Sequence, residues 1–306
     1  MKAIQFEEFG GPEVLHLKDL GAPHAGPGQV RVAVKAAGVN PMDYKIRHGW
    51  LKDFFPTPLP YVPGLEFAGV VDEIGEGVTE FAAGDEVLGW SASGSYAEYA
   101  VAFAAVIAPK PAGLGWEEAA AIPIAGETAL RVLDLLTLAD GETLLLHGAS
   151  GGVGAVAVQL AVARGVNVIG TASPSNHDYV RSLGAVPVAY GDGLVERVRK
   201  VAPQGVDAVF DAAGKGALPD SIELRGGTTD RIVTIADGDA AEYGVMMTTG
   251  APSDEWRRDS LVQNAGLAVE GGLRLRIAET FPLSGAAEAQ TRSEEGHPTG
   301  KLVILP

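Results

Sequence analysis

The segment TLLLHGASGGVGAVAVQLAVARGVNVIGTAS, Thr143 to Ser173, restricts the fold of this chain more than any other stretch. Thr143 to Leu146 form a short run bounded by turn residues, which suits a strand buried on both faces of a parallel sheet. A glycine-rich turn follows directly. From Val153 to Arg164 there is no proline, and Ala, Val and Leu are dense enough to predict a helix packed on that sheet. Asn167 to Ser173 then supply a second strand. The whole is a βαβ unit of about 30 residues.

The glycines carry a chemical implication. Gly151 and Gly154 occupy places where a tight turn and close helix–strand packing exclude side chains, with Ala149 in place of the opening glycine. The backbone amides from Ser150 through Gly151 and Gly152 to Val153, at a helix N-terminus, suit a pyrophosphate. In such units an acid about 20 positions on binds the ribose 2′-hydroxyl of NAD. Here that place holds Ser173, and the next acid, Asp178, falls in the following helix. Nothing there repels a 2′-phosphate, so NADPH is the expected cofactor. Ser173, Ser175, Asn176 and His177 are its candidate donors, or else a polar helix cap.

A length of 306 residues leaves room for about two domains. Residues 1 to about 110 read as strands and turns: MKAIQFEEF, EVLHLKDL, QVRVAVKAAGV, the stretch GLEFAGVVDEIGEGVTEFAAGDEVLGW, and GSYAEYAVA. Trp116 to Leu136 reads as a helix broken at Pro123. After Ser173, strands and helices alternate (PVAY, LVERVRKVA, DAVFDAA, RIVTIA, GVMMTT), the doubly wound pattern. Lys301 to Leu305 reads as an exposed apolar strand that returns to the first domain's sheet. The expected class is α/β, with a mainly-β domain from residues 1–122, a doubly wound domain from 123–252, and a return to the first domain in 253–306. Ala213 and Gly214, and likewise Ala236, end strands where a cofactor passes closely.

Composition narrows the partners. There are no cysteines, which excludes disulfides, thiolate nucleophiles and cysteine-based zinc sites. The formal net charge of -16 opposes binding to nucleic acid phosphates. No apolar run is long enough to span a bilayer and MKAIQFEEFG lacks a signal-peptide core, so a soluble cytoplasmic protein is expected.

GVNPMDYKIRHG, PGLEFAG, GEGVTEFAAGDEV, GSYAEY, HGASGGVG and GHPTGKLVILP occur in this order along nearly the whole chain. Together they resemble the medium-chain dehydrogenase/reductase superfamily, and within it the zinc-free quinone oxidoreductases. The resemblance implies a GroES-like domain from both chain ends, an inserted Rossmann domain, a cleft binding NADPH, and a homodimer or homotetramer formed through the Rossmann sheet edge near Gly244 to Gly250. Where zinc-dependent relatives carry a ligand cysteine this chain has Asn40, and where they carry the ligand histidine it has Leu65. Glu66 alone does not make a three-ligand site, so no metal is expected. His147 and His297 read as ordinary polar residues.

A metal-free site needs an acceptor that takes hydride readily, and quinones and conjugated enones qualify. Charge developing on the acceptor oxygen calls for preorganised donors. Asn40 is the first candidate, for substrate or cofactor, or else it fixes the loop before Pro41. Tyr44 is a proton donor or a pocket wall, or packs in the first domain; Asp43 reads as structural. Trp50 and Phe54 are aromatic walls or core. The resemblance places Thr128 at the nicotinamide end and Tyr190 beside the adenosine 2′-phosphate. Two other activities remain open: reduction of an enoyl thioester, whose CoA would need Lys35, Lys45, Arg47 and Lys52, and NADPH binding without turnover.

Overall fold

The computed structural model describes residues 1–296 and 298–306, so His297 lies outside the described residues. The chain forms two compact units, one from Met1–Ile124 with Pro252–Pro306, the other from Ala125–Ala251.

In the first unit the long strand Gln29–Val39 organises a seven-stranded sheet. Its neighbours on one side are Glu66–Ile74, Glu86–Trp90 and Ile107–Pro109, and on the other Lys301–Leu305 and Ile277–Pro282; Tyr99–Phe103 also pairs with it. Its first half alternates, with Val30, Val32 and Val34 buried, as expected for a strand with one wet face. From Ala36 onward every residue is buried. The reason is a second layer. Ala37 and Val39 join one core with Val32, Phe67 and Ile304, while Ala36 joins another with Ala68, Leu88, Ala120, Ile122, Leu261 and Val303.

The last strand, Lys301–Leu305, does enter this sheet, but it is not exposed. It lies antiparallel to Gln29–Val39, pairing Val303 with Gly38, and parallel to Ile277–Pro282. Both faces of Lys301–Leu305 are covered, because Leu302 and Ile304 point into one core and Val303 into the other.

The helix Trp116–Leu136 runs unbroken through Pro123. Proline supplies no N–H and crowds the preceding turn, which normally ends a helix. Here the next amide, Ile124 N, donates to Glu66 Oε2 at 2.7 Å, so a side chain from the sheet meets the helix where the proline interrupts its ladder.

The second unit is a six-stranded, wholly parallel sheet. Its order is Val186–Val188, Asn167–Thr171, Thr143–His147, Ala208–Asp211, Ile232–Thr234, Met246–Met247. The chain lays down the central Thr143–His147 strand, winds outward on one side, then returns to wind outward on the other. Order therefore reverses between Thr143–His147 and Ala208–Asp211, and the crevice beyond their carboxyl ends is where open sheets of this kind take ligands. Ser173 and Tyr190 each lie two residues past the strand that carries them, in turns rather than in the sheet. No helix among the described residues is long and apolar enough to cross a membrane.

Ile304 is fully buried within the returning strand. Ile304→Ala is expected to destabilise the protein by about 2–5 kcal/mol, through lost burial and a residual cavity. Urea unfolding followed by tryptophan fluorescence will show it as a lower midpoint.

Candidate functional site

At the switch point of the second unit the turn after Thr143–His147 is built by glycines with different duties. Gly148 takes a positive φ of 77°, and a Cβ on it would contact Ala213 at 3.4 Å. A Cβ on Gly154 would collide with the Gly148 carbonyl, so only glycine lets the helix Gly152–Ala163 start so close to the strand. Gly151, the residue that caps that helix, is different. Its Cβ would meet only the Gly148 carbonyl, at an ordinary 3.4 Å, so the fold does not require glycine there. What a Cβ would fill is the space in front of the helix N-terminus, where an anion is favoured.

Around this turn the structure gathers the hydroxyls and amide singled out from sequence. Asn176 Nδ2 donates to Ser173 Oγ at 3.1 Å and to Ser150 Oγ at 3.4 Å, and Ser173 and Ser175 hydroxyls lie 3.0 Å apart. Asp178 is turned to Arg181 at 2.5 Å. The end of the second strand thus presents neutral donors. Tyr190 is 58% exposed, and its loop is clasped by Arg197, which donates to the carbonyls of Ala189, Tyr190, Gly191 and Asp192.

Two residues that the sequence reading missed shape the other strand ends. Asp211 accepts the amides of Ala213 and Gly214 at 3.0 and 3.1 Å and the Thr234 hydroxyl at 2.8 Å. Thr234 Oγ1 in turn accepts the amides of Ala236 and Asp237. Gly214, at φ 58°, brings the two loops together, since a Cβ there would lie 2.5 Å from the Ala236 carbonyl. A buried acid and threonine ending adjacent parallel strands were the available signal. Behind the turn, His147 is buried and burial lowers its pKa. Ser221 donates to Ala217 O, so His147 Nε2 carries the hydrogen and donates to Ser221, leaving Nδ1 to face the Thr171 hydroxyl. This neutral, bonded imidazole is a structural residue. Thr128 is buried on the long helix and donates to Glu127 Oε2 at 3.1 Å; Glu127 also holds Arg131, which reaches Thr248.

In the first unit, Asn40 ends the strand Gln29–Val39 and caps the short helix Pro41–Arg47. Its backbone amide donates to Asp43 Oδ2 at 2.8 Å, which leaves its side chain for other work. Asn40 Nδ2 donates to Glu66 Oε1 at 2.8 Å, and Lys301 Nζ donates to Asn40 Oδ1 at 2.7 Å and to Glu66 Oε1 at 2.5 Å. All three residues are buried. Gly38 makes room, since a Cβ there would collide with the Glu66 carboxylate. Asp43 also accepts from Tyr96 at 2.8 Å, while its Oδ1 is buried with no partner among the described residues. Burial pushes the Asp43 carboxyl up to about 7. Tyr44 is half-buried against the edge of Trp50. Trp50 and Phe54 are 61% and 89% exposed, so neither is core. Arg47, one of the basic residues that a CoA would need, is fully buried and spent on Gly10, Gln290 and Glu294.

The family model described as "Alcohol dehydrogenase GroES-like domain" matches residues 26–112, and the one described as "Zinc-binding dehydrogenase" matches 183–304. Over its full length the chain is similar to the quinone oxidoreductase of Sus scrofa, at 35% identity covering 98% of that protein. Among solved structures it is similar to the quinone oxidoreductase from Coxiella burnetii, with 34% identity, TM-score 0.89, and coverage of 100% and 99% of the two chains. It is also similar to the Escherichia coli quinone oxidoreductase complexed with NADPH, with 27% identity, TM-score 0.88, and full coverage of both. A zinc ion does not fit the residues present. Both Glu66 oxygens already accept donors, one of them an ammonium, and the neighbouring positions hold Asn40 and Leu65. No three His, Asp or Glu side chains among the described residues are grouped to hold a metal.

The two glycines predict opposite failures. Gly154→Ala should lower the melting temperature, whereas Gly151→Val should fold normally and lose NADPH binding in a fluorescence titration; unchanged affinity in Gly151→Val would contradict an anion seat at that turn. Asp43 predicts a pH effect. Its native pKa lies above the ordinary 3.8, so the native state binds the extra proton between about pH 4 and 7. The stability it contributes is fully present below pH 4 and is lost as pH rises to 7. Asp43→Asn should flatten stability against pH across that window, measured by urea midpoints.

Proposed function

The chain belongs to the zinc-free quinone oxidoreductase family of the medium-chain dehydrogenase/reductases, and on that premise we propose that it is an NADPH-dependent oxidoreductase reducing quinones or conjugated enones and enals. The observation that carries the cofactor assignment is the switch-point turn with Ser150, Ser173 and Asn176 gathered beside it and no free acid at the second strand's end. When bound, NADPH supplies the hydride. The amides of Ser150, Gly152 and Val153 would hold the pyrophosphate at the helix N-terminus, with the Gly151 amide spent on the Gly148 carbonyl and its missing side chain leaving the space open. The Ser173 and Ser175 hydroxyls would donate to the 2′-phosphate, oriented by Asn176, whose amide hydrogens go to Ser173 and Ser150, and exposed Tyr190, on its Arg197-braced loop, would flank the adenosine. Ala213 and Ala236 would let the backbone approach closely, and the Thr128 oxygen, its hydrogen given to Glu127, would accept from the carboxamide NH2.

Asn40 is the donor we assign to the acceptor oxygen. An amide held in a dry, preorganised setting stabilises developing negative charge without reorganising. Tyr44 bounds the acceptor, with burial and Glu294 holding its hydroxyl above the usual tyrosine value. Flat acceptors suit the exposed rings of Trp50 and Phe54. The burial of Arg47 on Gly10, Gln290 and Glu294 removes it as a partner for a CoA phosphate, which favours free quinones and enones over enoyl thioesters. We further propose that the edge strand Met246–Met247, 55% and 46% exposed, pairs two copies into a homodimer, and that the enzyme works in the cytoplasm.

The test is steady-state oxidation of NADPH and of NADH, with and without chelator, against quinones, enals and an enoyl-CoA. NADPH-dependent quinone or enal turnover that chelator leaves untouched is expected. NADPH binding with no turnover on any acceptor would instead make the chain a non-catalytic binder. Asn40→Ala should slow turnover by about 10²–10³-fold with NADPH affinity unchanged; equal turnover would remove Asn40 from the chemistry.

A further inference from the structure

Asn40 can act as a donor only if its amide is held the right way round. Nothing in its own backbone decides this. The amide lies between a carboxylate and an ammonium, both buried: Glu66 is 0% exposed and Lys301 is 5% exposed. With Oδ1 on Lys301 Nζ at 2.7 Å and Nδ2 on Glu66 Oε1 at 2.8 Å, both contacts are attractive. Turned over, the amide would set NH2 against an ammonium and a carbonyl against a carboxylate. In a dry interior that reversal is strongly disfavoured. One Nδ2 hydrogen goes to Glu66, and the other meets no acceptor among the described residues.

The cation is as informative as the orientation. A Lys ammonium on the amide oxygen draws electron density from the amide and makes its N–H a stronger donor, as charge-assisted bonds are stronger than neutral ones. Lys301 reaches this point from the last strand, 261 residues along the chain from Asn40. It is held there by the antiparallel pairing of Leu302 with Val39, the residue before Asn40. Glu66 anchors Lys301 and, through Ile124 N, the helix Trp116–Leu136. The chain's own ammonium thus provides fixed positive charge on the same carboxylate that a metal would need.

We infer that Lys301 is a positioning residue for hydride transfer: seated on Glu66, it locks and polarises the Asn40 amide so that the remaining Nδ2 hydrogen is presented to the acceptor oxygen. This rests on the proposed reductase reading. Lys301 touches neither acceptor nor cofactor in this role; it works through Asn40.

The experiment compares the wild type with Lys301→Arg, Lys301→Met and the charge-neutral double variant Glu66→Gln/Lys301→Met, using NADPH and one quinone that the wild type reduces. The double variant leaves no unpaired buried charge, so it keeps the test valid if Lys301→Met fails to fold. Expected are a circular dichroism spectrum and NADPH affinity like the wild type in the double variant, with kcat down about 10–100-fold, the range for losing an outer-shell partner. KM for the quinone should change little, and Lys301→Arg should recover part of the loss by restoring the cation. A folded double variant with wild-type kcat would overturn the inference while leaving the reductase reading intact. Loss of NADPH affinity in step with kcat, or no gain from arginine over methionine, would also overturn it by making Lys301 merely structural. A wild type that reduces no quinone or enone would instead overturn the reductase reading itself, and the inference with it.

Discussion

The carboxylate of Glu66 is the point on which the first unit turns. It is fully buried, and three donors from distant parts of the chain converge on it: the Asn40 amide, the Lys301 ammonium and the Ile124 backbone N–H. A buried carboxylate without such partners would be costly. With them it joins the central strand, the returning C-terminal strand and the long helix at one place. The glycine at 38 and the proline at 123 are both explained by it. Gly38 leaves the space the carboxylate fills, and the amide after Pro123 donates to it.

The second unit rests on a different constraint, the close approach of backbones at the carboxyl ends of parallel strands. Gly148 and Gly154 close the first turn, while Asp211 and Thr234 pin the next two loops by accepting their amides. Beside these pinned loops the N-terminus of the helix Gly152–Ala163 is the place in this unit that favours an anion. The same unit buries His147 as a neutral, fully bonded ring. Titratable groups near a site are therefore not all functional, and the hydrogen-bond directions separate the structural histidine from the polar cluster around Ser173.

The two units differ in the polar groups they organise. The second unit contributes neutral donors and backbone amides suited to a phosphorylated cofactor. The first contributes an oriented amide backed by an ion pair. Its unit-wide electrostatics are tuned by burial, which raises Asp43 to about 7 and Tyr96 well above the ordinary tyrosine range. Preorganisation of this kind stabilises charge because the donors are already aligned before charge develops.

How much was legible from residues alone follows from the range of the physics involved. The βαβ unit and the parallel sheet depend on local periodicity, glycine geometry and spacing within about 30 residues, and these are written in sequence order. Asn40 was legible as a candidate because the family resemblance sets it where zinc-dependent relatives carry a ligand cysteine, and because an amide there can donate to a developing oxyanion. The continuity of the helix through Pro123 was not, because the acceptor that permits it lies at Glu66. Nor was the burial of Lys301–Leu305, an apolar run that covers both faces only after two further strands and two helices assemble around it. The length and pattern of the chain determined the sheet classes and the cofactor-binding turn. Only the tertiary structure decided that Lys301 meets Asn40, because hydrogen bonds act over about 3 Å and say nothing of the 261 residues between the partners.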